Sequence, residues 1–219
     1  MVPKKTFFNL EEKKQDKIIR SAISEFTKYG FERAKMDTIA KNANVSKGSM
    51  YQYFDNKEEL FLFSVKWSID LFYKRYGRYL NLKKDMNIFD LFYKDAKIIW
   101  SQMMEERDMV IFIQDVLLGK YKNLTDKSMS YIMDMVNKNT LNMIQNGKRN
   151  GSIRKDIDDN LLLIFITGVS LKFKEHMMNS ARTQGKDIVD EGFEENEREI
   201  KSMIELLKNG MGENRCLFR

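Results

Sequence analysis

The stretch "VSKGSMYQYFDNKEEL", residues 45–60, places three aromatic residues in four positions shortly after Gly48. Glycine inside a helix lowers stability by roughly 0.5–1 kcal/mol relative to alanine. A helix that only filled a core would need neither this glycine nor rings crowded behind it. The stretch therefore predicts a backbone to which a partner outside the chain needs close access.

The residues before this stretch predict one long helix. Asn9 is a candidate N-cap, with Glu12 three positions later, and Gly30 is a candidate C-terminal stop. Apolar residues between them recur with helical spacing, at Ile19, Ala22, Ile23 and Phe26.

Two short helices follow, at 37–43 and at 46–54, and Asn44 interrupts the chain between them. Asn56 is the expected cap of a fourth helix, again with a glutamate, Glu59, three positions later. Short helices joined by three or four residues are typical of a helix-turn-helix. We therefore predict a DNA-binding domain over residues 1–56.

Longer helical segments make up the rest of the chain, residues 57–219, where we see no sustained period-2 alternation. The predicted fold is all-α, with about nine helices, and residues 57–219 form its larger helical domain. The segments are 57 to about 80, 87–105, 108–120, 124 to about 147, 157 to about 180 (capped by Asp156) and 187–210.

Composition excludes several classes of protein. The chain has 219 residues, of which 42% are hydrophobic and 32% charged, which argues against disorder and against a membrane protein. The apolar run 161–171 is too short to span a bilayer, which needs about 20 residues. The single cysteine, Cys216, excludes an intrachain disulfide, so a reduced, cytoplasmic protein is expected.

Charge is distributed unevenly along the chain, whose net charge is +6. Residues 1–57 hold 12 Lys and Arg against 7 Asp and Glu, whereas residues 186–219 hold 6 against 9. A basic N-terminal quarter favours contact with nucleic acid through that part.

The third helix has side chains suited to a DNA groove. Its first turn is the part that meets base edges in a major groove; Lys47 can donate to guanine and Ser49 can donate or accept. Gly48 allows the backbone to approach the duplex, and Ser46 caps the helix. Val45, Met50 and Phe54 are predicted to face inward, while Tyr51 and Tyr53 point sideways toward phosphates. Taken singly, these fragments would be an ordinary helix cap and ordinary packing residues.

"GFERAKMDTIAKNANVSKGSMYQYFDNKEEL", residues 30–60, resembles the DNA-binding region of the TetR/AcrR family of transcriptional regulators. The motifs G-F, I-A, V-S-K-G, M-Y-x-Y-F and N-K-E-E-L stand in the family's order and spacing. The specific resemblance covers residues 10–60, and the rest of the chain matches in length and helix count. The resemblance implies an all-helical homodimer in which residues 57–219 form the effector-binding and dimerisation domain. It also implies a protein that mostly represses transcription and leaves DNA when a small molecule binds. Two recognition helices in such a dimer are expected to bind the half-sites of a palindromic operator.

Carried over by position, the resemblance and the helix geometry give a set of candidate DNA contacts. Asn44 replaces the family's usual turn glycine, which asparagine tolerates because it adopts the left-handed conformation. The family often has Thr or Ser at the start of the second helix, where this chain has Lys35 to Thr38. The candidates are Lys35, Thr38, Ser46, Lys47, Gly48, Ser49, Tyr51, Gln52, Tyr53 and Lys57.

Two further surfaces are predicted in the larger domain. The helix 161–171 is apolar nearly all round, so a symmetry mate is expected to cover one side together with the last helix, the alternative being the deep core of a monomer. Predicted interface residues are Leu161, Ile164, Phe165, Gly168, Val169, Ile200, Ile204 and Leu207. Candidate effector-pocket residues, which could also be plain core, are Trp67, Tyr73, Phe92, Trp100, Met103, Phe112 and Tyr131.

The sequence contains few residues that would favour an enzymatic function. His176 is the only histidine, and the sequence has neither a cysteine cluster nor a phosphate-cradling glycine loop, which argues against a transition-metal site and against catalysis. No enzyme activity and no cofactor are expected. Lys4 and Lys5 are expected in a disordered tail, the alternative being an arm in the minor groove. The expected partners are an operator duplex, a second copy of the chain and an unknown small-molecule effector, with no membrane.

Two other hypotheses stay open beside the ligand-responsive repressor. One is a DNA-binding regulator controlled by a protein partner, or by nothing. The other is a helical ligand-binding or enzymatic protein that keeps the motif only as a scaffold, without binding DNA.

Overall fold

The computed structural model describes residues 3–81 and 86–212, whose regular structure is helical apart from an isolated antiparallel bridge between Ile153 and Gly212. The all-α prediction is confirmed. This part of the chain holds ten α-helices and a 3-10 turn, Ile188–Asp190. The helices are α1 Lys5–Phe8, α2 Glu12–Arg33, α3 Met36–Asn42, α4 Lys47–Tyr53, α5 Lys57–Asn81, α6 Ile88–Glu105, α7 Arg107–Leu117, α8 Asn123–Asn150, α9 Asp159–Thr183 and α10 Phe193–Met211.

The chain divides into two compact units. Unit 1 comprises Met1–Phe72 and Glu106–Ile132, and unit 2 comprises Tyr73–Glu105 and Met133–Arg219. The helix-turn-helix segment thus belongs to the same unit as α7 and the start of α8. The predicted division into a DNA-binding domain up to residue 56 and an effector domain after it concerns function, and it stays a prediction.

An aromatic cluster forms part of the core of unit 1. Phe26 of α2 lies with its ring centroid 5.1 Å from that of Phe61 in α5, and Phe61 lies 5.2 Å from Phe112 in α7. The Tyr121 hydroxyl donates to the Phe26 carbonyl over 3.2 Å. Aromatic pairs at these separations are worth ~0.5–1.5 kcal/mol beyond their buried area. The first long helix and α7 therefore share one core.

Unit 2 is held in part by α6 against α10. The Trp100 indole donates to the Glu191 carbonyl over 2.8 Å, just before α10 begins. The ring of Phe193 lies 6.2 Å from Trp100 and 5.9 Å from Tyr93. The last predicted helix is split, since the 3-10 turn ends before Gly192 and α10 starts at Phe193.

Two predicted helix caps are wrong, both for local reasons. Asn9 terminates α1 instead of starting α2, because its N–H bonds to the Lys5 carbonyl over 3.1 Å. Helix α9 is capped by Asp158, whose Oδ1 accepts from the Asn160 N–H over 2.9 Å. The predicted cap, Asp156, instead pairs with Arg154, and this hydrogen bond lowers the pKa of Asp156.

Candidate nucleic-acid interface

The turn between α3 and α4 has the conformation that the sequence predicts. Asn44 adopts a left-handed backbone with φ 57°. The Val45 N–H donates to the Ala40 carbonyl over 2.9 Å, which closes the turn after α3 ends at Asn42. Asparagine therefore performs here the role that the resemblance assigns to glycine.

Helix α4 begins as predicted. The Ser46 hydroxyl accepts from the Ser49 N–H over 3.0 Å, and the two serine hydroxyls lie 2.8 Å apart. On the inner side, the Met50 and Phe54 side chains are fully buried, while Val45 is half-buried. The first turn of α4 is therefore fixed before any partner binds.

The outer face of α4 contains most of the predicted contacts. Lys47, Gly48 and Gln52 are exposed, and Tyr51 is 44% exposed. Tyr53, predicted to point sideways with Tyr51, is only 7% exposed, so that orientation is wrong. The physical reason is its contact with Phe7, whose ring centroid lies 6.1 Å away.

Lys47 is paired within the chain. Its ammonium lies 2.8 Å from a carboxylate oxygen of Asp37, near the start of α3, and both side chains are more than half exposed. The hydrogen bond to Asp37 raises the pKa of Lys47. An exposed pair of this kind contributes little to stability. Its effect is to orient the ammonium at the first turn of α4.

Lys35, Thr38 and Lys57 occupy three different environments. Lys35 is exposed and stands at the N-cap position of α3 without a side-chain cap, and Thr38 is half-buried. The buried Glu25 carboxylate supplies the cap by accepting from the Lys35 N–H over 3.0 Å. Nothing in the sequence pattern of α3 indicates this cap, because Glu25 lies ten residues earlier in α2.

The Lys57 ammonium is engaged at the end of α2. It donates to the carbonyls of Glu32 and Ala34, each over 3.1 Å, and lies 4.6 Å from the centroid of the Phe31 ring. Helix C-termini favour such cations because their last carbonyls lack partners within the helix. Lys57 thus stabilises the end of α2, and its predicted phosphate contact stays a prediction.

Residues 3–8 pack against the rest of unit 1, contrary to the expected disordered tail. Phe7 is fully buried, and its ring centroid lies 5.1 Å from that of Phe54 and 5.5 Å from that of Phe63. The Lys4 N–H donates to the Tyr53 carbonyl over 3.0 Å. A buried aromatic anchor fixes the segment, and the tail prediction for Lys4 and Lys5 is corrected.

The seven predicted effector-pocket residues are divided between the two units. In unit 1, Arg20 lies over the ring of half-buried Trp67, and the Tyr131 hydroxyl donates to Asp70. Burial, followed by this bond, raises the pKa of Tyr131. Unit 1 also holds Phe112; unit 2 holds Tyr73, Phe92, Trp100 and Met103. Their role as pocket residues stays a prediction.

Gln114 of α7 is a residue that the sequence analysis missed. Its side chain is 1% exposed, yet within the described part of the chain neither its amide nitrogen nor its amide oxygen has a hydrogen-bond partner. Leaving a buried polar group unpaired costs about 1–3 kcal/mol. Only its place among the apolar residues of α7 could have drawn attention to it.

The predicted dimer residues fall into two groups within unit 2. Leu161, Ile164, Phe165 and Gly168 are exposed, and Val169 is half-buried. On α10, by contrast, the side chains of Ile200, Ile204 and Leu207 are already buried within the chain. The exposed apolar residue of that helix is Leu206, which the sequence analysis did not select.

Residues 3–81 and 86–212 contain neither a metal-binding group nor a membrane-spanning helix. No cluster of three or more His, Cys, Asp or Glu side chains in residues 3–81 and 86–212 could hold a metal ion. Within the same residues, no helix is long and apolar enough to cross a bilayer.

Residues 18–62 match the family model of bacterial regulatory proteins of the tetR family. This range covers α3, α4, the turn between them and most of α2. This part of the chain is therefore similar to the tetR family of regulators, and the resemblance found in the sequence is confirmed over residues 18–62.

Curated relatives match the same part of the chain. YhgD of Bacillus subtilis, an uncharacterized HTH-type transcriptional regulator, is 50% identical over 44 residues, which is 20% of this chain and 23% of that protein. IcaR of Staphylococcus epidermidis, the negative transcriptional regulator of the biofilm operon icaADBC, is 42% identical over 52 residues, or 24% and 28% of the two chains. The matched part spans about a quarter of these relatives.

A solved structure extends the likeness to the whole fold. The transcriptional regulator FadR from Bacillus subtilis, in complex with stearoyl-CoA, superposes with a TM-score of 0.68 over 89% of this chain and 98% of that chain. The sequence identity is 21%. At this identity, the likeness establishes the fold alone.

Proposed function

We propose that the protein is a homodimeric, sequence-specific DNA-binding transcriptional regulator. It represses transcription from a palindromic operator and leaves the DNA when a small molecule binds. The observation that carries the proposal is Gly48, an exposed glycine in α4 that the fold itself does not require.

Gly48 has no internal structural cause. A Cβ at this position would meet only the Ser46 hydroxyl, at an ordinary contact distance of 3.7 Å. Its backbone is helical and avoids the left-handed region in which glycine is favoured. Alanine would stabilise this helix by roughly 0.5–1 kcal/mol. A partner that approaches the backbone explains why the chain keeps glycine instead.

The residues around Gly48 match a DNA groove in chemistry. Lys47 and Gln52 are exposed beside it, and each can hydrogen-bond base edges or phosphates. Arg and Lys also exceed Asp and Glu by five over residues 1–57. A positively charged surface with hydrogen-bonding side chains and an open backbone favours a duplex over a protein partner.

A second copy of the chain is the proposed partner of α9 and α10. Leu161 and Ile164 are 59% and 66% exposed, and with Phe165 they form one apolar face of α9. The face continues onto α10, where a Cβ on Gly210 would come within 2.9 Å of the Phe165 ring. Leu206 lies one turn before that contact and is 69% exposed. Two such faces would bury each other about a twofold axis.

The effector is proposed to bind within the larger helical part of the chain. The unpaired amide of Gln114 supports a ligand over purely protein-based control, because a ligand can supply the missing hydrogen bonds. FadR from Bacillus subtilis was solved with stearoyl-CoA, so a long-chain acyl-CoA is a reasonable first probe. The protein is further proposed to act in the cytoplasm and to have no enzymatic activity.

The decisive variant is Gly48→Ala. We expect its melting temperature to equal or exceed that of the wild type, because alanine favours the helix. Affinity for a duplex selected by the wild type from a randomised library should fall about tenfold or more, since close contacts at base edges are worth ~1–3 kcal/mol each. Calorimetry and fluorescence anisotropy measure the two effects.

Asn142→Ala is the matched control, since it offers a similar gain in helix propensity at an exposed position of α8. It should change stability without changing DNA affinity. A Gly48→Ala protein that binds the selected duplex as tightly as the wild type would refute the proposal. So would a selection from which no preferred sequence emerges.

A further inference from the structure

The N-terminal strut, which we define as residues 3–8, lies against the C-terminal end of α4. Helix α4 has only seven residues, and its last intrahelical bond runs from the Phe54 N–H to the Met50 carbonyl over 2.9 Å. The carbonyls of Tyr51, Gln52 and Tyr53 come after that bond. They are therefore the acceptors that the helix cannot pair by itself.

Each of these three carbonyls accepts a hydrogen bond from the strut. The Lys4 ammonium donates to the Tyr51 carbonyl over 3.0 Å, and the Lys4 N–H donates to that of Tyr53 over 3.0 Å. The Thr6 hydroxyl donates to the Gln52 carbonyl between them. The strut thus completes the backbone hydrogen bonding of the helix end.

Charge and packing reinforce these bonds. The last turn of α4 has no basic residue of its own, so the Lys4 ammonium supplies the positive charge that a helix C-terminus favours. The same ammonium lies 2.6 Å from Asp55. Phe7, fully buried against Phe54, fixes the strut to the core.

We propose that Lys4 and Thr6 are positioning residues for DNA recognition, which hold the C-terminal half of α4 at the angle that base contact requires. The proposal rests on the proposed DNA-binding function. A helix of two turns is only marginally stable by itself, so its orientation depends on what holds its ends. Ser46 fixes the first turn, and the strut fixes the last, where exposed Tyr51 and Gln52 lie.

This role differs from that of an arm in the minor groove. In such an arm, the Lys4 ammonium would bind DNA phosphates. In the structure, it instead binds the Tyr51 carbonyl and the Asp55 carboxylate. Removing a phosphate contact weakens binding to all sequences and reduces the salt slope by about one. Removing a positioning contact weakens operator binding selectively and leaves the slope unchanged.

The test compares Lys4→Gln and Thr6→Val with Lys5→Gln. Lys5 is the adjacent exposed lysine, so its variant makes the same change of charge. Affinity is measured for the selected duplex and for a scrambled duplex over a range of salt concentrations. Hydrogen exchange of the amides of residues 51–54 is measured on the full chain without DNA.

We expect Lys4→Gln and Thr6→Val each to lower the operator-to-scrambled affinity ratio about twofold to tenfold, the net value of one hydrogen bond. Exchange at residues 51–54 should accelerate by a similar factor, with the salt slope unchanged. Lys5→Gln should leave the ratio and the exchange as in the wild type. Melting curves confirm that the variants remain folded.

Two results would overturn the inference alone. One is unchanged exchange and an unchanged ratio in both strut variants. The other is a slope reduced by about one in Lys4→Gln with equal losses on both duplexes, which identifies a phosphate contact. A wild type without preference for any duplex would instead overturn the proposed function, and the positioning role in recognition with it.

Discussion

Helices α4 and α9 both present side chains to solvent that the chain does not cover, but the chemistry of the two faces is opposite. The α4 face consists of Lys47, Gly48 and Gln52, whereas the α9 face consists of Leu161, Ile164 and Phe165. A polar face with an open backbone suits a hydrated, charged polymer. An apolar face suits another apolar surface, from which water can be expelled. The difference indicates two kinds of partner for one chain.

The largest expected effect comes from placing a charge on the α9 face. Ile164→Glu should convert the dimer to a monomer, because two buried carboxylates would face each other without partners. Operator affinity should fall about 100-fold or more, since one half-site alone retains a fraction of the contacts. Sedimentation equilibrium and DNA titration measure the two losses.

Ser180→Glu is the control for that prediction, because it adds the same charge at an exposed position elsewhere on α9. It should remain dimeric. A monomeric wild type, or a dimeric Ile164→Glu protein, would show that the apolar face of α9 is not a dimer interface.

An intermediate effect is expected on the α4 face. Lys47→Met should lower operator affinity about fivefold to 100-fold, the value of one base contact at ~1–3 kcal/mol, while the protein stays dimeric. Selecting duplexes with the variant should show relaxed preference at one position in each half-site.

Lys57→Met makes the same change of charge and serves as the comparison. Because its ammonium binds the carbonyls of Glu32 and Ala34, we expect a lower melting temperature and a smaller change in affinity. If both variants lost affinity equally and kept the wild-type stability, the Lys57 ammonium would contact DNA instead of capping α2.

The smallest expected effect distinguishes the two tyrosines of α4. Tyr51→Phe should lower affinity about twofold to tenfold by removing an exposed hydroxyl, the net value of one hydrogen bond. Tyr53→Phe should change affinity less, since that ring is buried against Phe7. Anisotropy titrations at one salt concentration decide between them, and a larger loss for Tyr53→Phe would reverse the assignment.

What the sequence predicted correctly depends on neighbours along the chain. The Ser46 cap, the left-handed Asn44 and the break in α2 at Gly30, whose φ is 72°, each follow from local backbone preferences, although α2 resumes after Gly30 and ends at Arg33. The all-helical fold follows from periodicity, which is also local. These features could be predicted because the backbone preferences of a few neighbouring residues decide whether a helix begins, turns or ends there.

What the sequence failed to predict depends on contacts between distant residues. Tyr53 is buried because Phe7, 46 positions earlier, packs on it, and α3 is capped by Glu25 of α2. The sequence predicted a phosphate contact for Lys57, but its ammonium already donates to the carbonyls of Glu32 and Ala34. The chemistry of single residues identifies candidate DNA contacts, and only the tertiary structure shows which of these side chains already bind other parts of the chain.

The core shared by α2, α5 and α7 limits how far the DNA-binding segment can be treated as a transferable module. Phe26 packs on Phe61 and Phe112, and Arg20 forms a bidentate pair with Glu106 at the start of α7. A fragment ending at residue 56 would lose both aromatic neighbours and leave this arginine without its buried carboxylate. Grafting α4 onto another regulator together with this core would therefore require both residues 1–72 and residues 106–132 to be moved.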